Sequence, residues 1–95
     1  MILITAEGPD ENSPISRHFG RAPFFVLAED GKITKVIKNE MVEHAPGEIP
    51  RFVRDLGVKT VVTGGIGEKA RELLNSYGIN ILTLDGTVKD ALKVE

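Results

Sequence analysis

Apolar residues in this chain fall into short blocks of two different periods, and the order of those blocks predicts the fold. Ile2, Leu3 and Ile4 are continuously apolar, so Met1–Thr5 reads as a buried strand. Ala6–Ala22 follows as a long polar loop. Pro23–Ala28 and Ile33–Lys38 are predicted strands joined across Asp30-Gly31, a dipeptide suited to a tight hairpin turn. The period then changes. Ile49, Phe52, Val53 and Leu56 repeat as one face of a helix, which starts close to Glu48 so that Pro50 lies in its first turn. Gly57 is placed to end it.

A strand over Lys59–Thr63 leads into Gly64-Gly65-Ile66-Gly67 and a second helix, with Ile66, Ala70, Leu73, Leu74 and Tyr77 on one face and Gly78 at its end. Asn80–Leu84 is the last strand, and Thr87-Val88-Lys89-Asp90 resembles a capping box opening a short helix with Val88, Ala91 and Leu92 inward. The order βββαβαβα predicts a mixed, mostly parallel sheet flanked by helices, in one small domain over residues 1–95. The last two strands are expected to be parallel, because a helix connects them. If strand one lies beside Lys59–Thr63, the long loop and the glycine turn leave the sheet at one edge, where open α/β sheets bind ligands.

Composition narrows the partners. A net charge of −2 argues against a general nucleic-acid binder, and no apolar run is long enough to span a bilayer. The N-terminus lacks the basic start of a signal peptide, and the absence of cysteine fits the cytoplasm. Without thiolates, any metal cluster would depend on histidine, carboxylates, backbone or its own sulfides.

The densest chemistry lies in Ser13–Phe25, where Arg17, His18, Gly20 and Arg21 crowd between Pro14 and Pro23. His18 could ligate a metal, bind an anion or carry a proton, or it could be an exposed loop histidine. Arg17 and Arg21 could hold a carboxylate, phosphate or anionic cluster, or bridge to Glu7, Asp10 or Glu11. Phe19, Phe24 and Phe25 read as core. At the second helix, Gly64, Gly65 and Gly67 allow positive φ and close backbone approach, which would aim N–H groups at an anion. A tight turn needing small residues explains them equally, with Glu68 satisfying the helix dipole. His18 and His44 do not make a zinc signature, and neither Met1–Thr5 nor Lys59–Thr63 carries the carboxylates of a metal-dependent nuclease. Nothing here points to an enzyme.

His18-Phe19-Gly20-Arg21-Ala22-Pro23-Phe24-Phe25, with Leu56-Gly57-Val58, Thr63-Gly64-Gly65-Ile66-Gly67 and Tyr77-Gly78-Ile79, resembles the dinitrogenase iron–molybdenum cofactor biosynthesis family. That family includes nitrogenase accessory proteins, the C-terminal domain of the cofactor-synthesis radical enzyme and small stand-alone proteins, and the likeness covers nearly the whole chain. It implies a ribonuclease-H-like α/β fold, with a five-stranded mixed sheet ordered 3-2-1-4-5 and three helices. It also implies a non-catalytic carrier of an iron–sulfur or iron–molybdenum-type cluster or its precursor, working with cluster donor or acceptor proteins. The family's cofactor-binding histidine matches His18, also the expected metal ligand, and its glycine turn matches Gly64, Gly65 and Gly67. The competing expectation is a metal-independent anion or metabolite sensor, or a protein-interaction domain.

Overall fold

The computed structural model describes residues 1–40 and 47–94; His44 lies outside the described residues. The continuous apolar start becomes β1 (Ile2–Ala6), buried at every position. A strand with both faces covered must be apolar throughout, and β1 is the middle of the sheet. β2 (Phe24–Glu29) and β3 (Lys32–Lys38) form the predicted hairpin, with positive φ at both Asp30 (53°) and Gly31 (76°), as a two-residue turn requires. α1 (Glu48–Asp55), β4 (Thr60–Thr63), α2 (Glu68–Ser76), β5 (Asn80–Thr83) and α3 (Val88–Leu92) follow. The sheet order is β3-β2-β1-β4-β5, with β1 parallel to β4 and β4 parallel to β5. Fold class and strand order are therefore those expected, and strand ends differ by a residue or so. The edge strand β3 carries Lys32, Lys35 and Lys38, charges that discourage pairing with another chain.

Each face of the sheet has its own core. Leu3, Phe25, Leu27 and Val61 pack with Ile49 and Val53 of α1 and Leu74 of α2, joined by Phe19. On the opposite face, Ile2, Ile4, Val26, Ala28 and Val62 pack with Ile15 and with Val88, Ala91 and Leu92 of α3. The aromatic residues behave as expected of core, with Phe19 and Phe25 buried and Phe24 partly so.

The segment expected as a long polar loop has no helix or strand between β1 and β2, and part of it packs onto the domain. Ile15, Ser16, Phe19 and Ala22 are buried, and Ala6 bridges Ile15 while Pro14 bridges Thr87. The Ile15 N–H donates to the Gly86 carbonyl (2.8 Å), and the Val88 N–H donates to that of Ser13 (2.9 Å). These bonds satisfy backbone groups beside the buried positions, while Glu7, Asp10, Glu11, Arg17, His18 and Arg21 stay exposed.

α3 carries the capping box read from the sequence. The Thr87 N–H donates to the Asp90 carboxylate (2.9 Å), and the Asp90 N–H donates to the Thr87 hydroxyl (3.4 Å). The Thr87 backbone bond, then its side-chain bond, hold the Asp90 carboxyl below the ordinary aspartate range. Because the folded value is the lower one, this cap stabilises α3 above the unfolded pKa and is lost as pH falls through the folded one. Protection of the α3 amides, taken relative to the exchange rate of unstructured chain at each pH, is accordingly expected to fall on acidification below about pH 4. Asp90→Asn should remove that step, and an identical acid profile in the variant would contradict the assignment.

Candidate functional site

The histidine segment leaves β1 and the glycine turn leaves β4, at the carboxyl ends of adjacent parallel strands. Hydrogen bonds draw the two together. The Gly64 N–H donates to the Ser16 carbonyl (2.8 Å), and the Phe19 N–H donates to the Gly65 carbonyl (3.1 Å). Ser16, fully buried, also receives the His18 N–H on its hydroxyl (3.2 Å). From the other side, the Asn39 Nδ2 donates to the carbonyls of Ala22 (2.8 Å) and Gly20 (3.2 Å). The loop is thus pinned before His18 by the glycine turn and after it by the residue following β3.

This approach explains two of the glycines. A Cβ on Gly65 would strike the Arg17 carbonyl oxygen, and one on Gly64 would lie 3.0 Å from the Ser16 oxygen and 3.2 Å from the Arg17 Cα. Neither residue has positive φ, nor does Gly67, so left-handed backbone is not their reason. Close contact is. Gly67 differs, since a Cβ there would meet nothing within 4 Å. It is the N-cap of α2 in an extended conformation (φ −72°, ψ 158°), and no side chain caps the helix. Glu68 stands in the first turn, where the sequence reading put its carboxylate to offset the helix dipole.

Between the pinned loop and α2 lies an open cleft of about 650 Å³. Six of the seven sequence-selected residues line it: Arg17, His18, Gly20, Arg21, Gly65 and Gly67. Gly64 does not; it sits behind the turn, on a smaller depression with Thr83, Leu84 and Asp85. The cleft also takes Lys69, in the first turn of α2, and an apolar wall that includes Ile49, Pro50, Ile66 and Leu73. Sequence reasoning missed these. Lys69 and Leu73 follow Ile66 at helical spacing, which was the available signal. The contribution of α1 had none, because its placement beside α2 is tertiary.

Among the described residues, every charged side chain lining the cleft is basic. Arg17, His18, Arg21 and Lys69 are exposed, and among the described residues neither arginine pairs with Glu7, Asp10 or Glu11. The N–H groups of the first turn of α2 add positive potential at the same place. The arrangement is suited to an anion. For metals it offers one imidazole: no group of three or more His, Cys, Asp or Glu able to hold an ion occurs among the described residues.

The sequence model of the family described as "Dinitrogenase iron-molybdenum cofactor" matches residues 1–94. The chain belongs to this family. The family connects it with nitrogenase accessory proteins and with iron–molybdenum cofactor chemistry. Solved structures agree on the fold. PH0822 superposes with a TM-score of 0.76 at 38% identity, over 98% of this chain and 85% of that one. The apo form of the orange protein from Desulfovibrio gigas gives 0.87 at 27%, over 97% and 82%. A putative NifB protein from Thermotoga gives 0.79 at 24%, over 98% and 84%, a likeness of fold.

Among curated proteins, ribonuclease Y of Fervidobacterium nodosum is 30% identical over 79 residues, 74% of this chain but 15% of the enzyme. Ribonuclease Y of Acholeplasma laidlawii matches 73% of this chain at the same identity, and again 15% of the enzyme. The chain therefore spans about 15% of the length of these curated relatives. No helix among the described residues is long and apolar enough to cross a membrane.

Proposed function

We propose that this protein is a non-catalytic carrier whose cargo is an anionic metal–sulfur cluster, of the iron–sulfur or iron–molybdenum type or a precursor of one. The observation that supports this most directly is the cleft itself, with four basic side chains and no lining carboxylate among the described residues. In this reading the His18 imidazole, which has no hydrogen-bond partner among the described residues, is a terminal ligand to one metal of the cargo. Arg17, Arg21 and Lys69 neutralise its charge, and the N–H groups of the Gly65–Gly67 turn donate to its sulfides. The apolar wall faces the soft, weakly hydrated sulfides. Holding the cargo by one side-chain bond and several screened charges makes it easy to surrender, as exchange between a cluster donor and a cluster acceptor requires.

Anaerobic titration with a preformed, thiolate-ligated [4Fe–4S] cluster tests the reading, followed by its visible absorption. Wild type is expected to retain the cluster through gel filtration and His18→Ala to lose most of it. Equal retention would remove His18 from the site, and no retention by wild type would end the proposal.

A single imidazole among the described residues of the cleft favours one other reading, an anion or metabolite sensor that uses no metal. Phosphate or a carboxylate at the glycine turn would then raise the melting temperature by mass action, with chelator present throughout.

A further inference from the structure

Beneath the cleft, the two parallel strands that open it each carry a threonine in their last two positions, and both side chains are completely buried. Thr5 in β1 and Thr63 in β4 lie at 0% exposure, on the sheet face that packs against α1 and α2. Their neighbours on that face, Leu3 and Val61, are apolar core. A hydroxyl placed there costs free energy unless it is hydrogen-bonded, so its partners indicate what it is for. Thr5 Oγ1 lies 2.8 Å from Thr63 Oγ1, which lies 3.0 Å from the Gly65 carbonyl oxygen. The Ser16 carbonyl oxygen is 3.1 Å from Thr5 Oγ1 and 3.4 Å from Thr63 Oγ1. Each hydroxyl has a single proton. The assignment that satisfies both short oxygen–oxygen contacts has Thr5 donating to Thr63 and Thr63 donating to the Gly65 carbonyl. The Ser16 carbonyl is then served by the Gly64 N–H at 2.8 Å.

The two carbonyls in this knot are the ones that join the walls of the cleft. Gly65 also accepts the Phe19 N–H, and Ser16 stands two residues before His18. We propose that Thr63, with Thr5 behind it, is a positioning residue of the cleft, fixing the separation of the His18 segment from the first turn of α2. The inference rests on this cleft being the binding site. Neither threonine touches the cargo. Valine, which has the same outline, would keep the core filled and leave no carbonyl unpaired, because Phe19 and Gly64 still donate to Gly65 and Ser16. The fold should therefore survive while the junction loosens. Thr63→Val should act more strongly than Thr5→Val, since only the former removes the bond to Gly65.

Backbone amide exchange, measured by NMR on Thr63→Val, Thr63→Ser and Thr5→Val without any ligand, reads the junction directly. In Thr63→Val the Phe19 and Gly64 amides are expected to exchange about tenfold faster, the loss of one modest buried hydrogen bond. Amides in the middle of β1 and β4 should keep their wild-type rates, and Thr63→Ser should restore slow exchange. Acceleration spread evenly through the sheet, or none at the two junction amides, would overturn the proposal. A second arm repeats the [4Fe–4S] titration, with affinity expected to fall in Thr63→Val and return in Thr63→Ser. Unchanged affinity beside a loosened junction would also overturn it. Failure of wild type to bind the cluster would overturn the carrier reading instead, and the exchange arm would still decide whether the hydroxyls hold the junction.

Discussion

Replacing Gly65 by alanine is expected to lower stability by about 2–3 kcal/mol and to abolish ligand retention in the cleft. φ at this position is not in the left-handed region, so alanine is acceptable to the local backbone and the cost is steric. The new methyl group would collide with the Arg17 carbonyl oxygen, a backbone atom that cannot swing aside as a side-chain tip could. Relief requires the His18 segment to move off the turn. That movement strains the bonds from Gly64 N–H to Ser16 (2.8 Å) and from Phe19 N–H to Gly65 (3.1 Å). For a domain of this size such a loss lowers the melting temperature by roughly 10–20 °C. Gly67→Ser is the control. Its Cβ meets open space, and serine at an uncapped N-cap position should be neutral or stabilising by a few tenths of a kcal/mol, so ~0.3. Similar melting temperatures for Gly65→Ala and wild type would show that the two segments are not held as close as described.

Removing the three flexible cations together, as Arg17→Ala, Arg21→Ala and Lys69→Ala, should have the opposite signature. Stability is expected to be unchanged, because these exposed side chains have no carboxylate partners among the described residues. Affinity for an anionic cluster should collapse. Each exposed charge contributes up to about 1 kcal/mol through solvent-screened attraction. Three therefore correspond to roughly a hundredfold in Kd. Salt separates this from the His18 bond. Wild-type affinity should weaken between about 0.05 and 0.5 M salt as the Debye length contracts, whereas the triple variant should be nearly indifferent. Equal affinity and equal salt response in the two proteins would show that the basic rim has no part in binding.

These two experiments probe parts of the site that were unequally legible in the sequence. Arg17, His18 and Arg21 stood out because ionisable residues dense in one loop are informative without coordinates. Lys69 did not, being one charge on an exposed helix until Ile66 and Leu73 were seen to share its cleft. For the glycines the sequence offers positive φ, close backbone approach to an anion or a tight turn needing small residues; positive φ does not occur at these three, and the contact with Arg17 that excludes a side chain at Gly65 depends on another segment. Ser13, Ile15 and Ser16 were assigned to a polar loop, because backbone partners such as Gly86 and Thr5 lie far away along the chain. Thr63 is legible in the sequence only as the first residue of the glycine-turn motif, and Thr5 only as the end of the expected first strand. Thr at a strand end is ordinary by propensity, and its importance comes from which carbonyls it reaches.

Element type, hairpin turn, helix ends and the α3 capping box were determined by the amino-acid sequence alone. Each depends on residues within a few positions of one another, where periodicity and backbone sterics act directly. The width of the cleft, its basic rim and the buried hydroxyl knot were decided only by the tertiary structure. They arise where β1 and β4 become neighbours across more than half the chain, and pairing at that range is set by the packing of both sheet faces together.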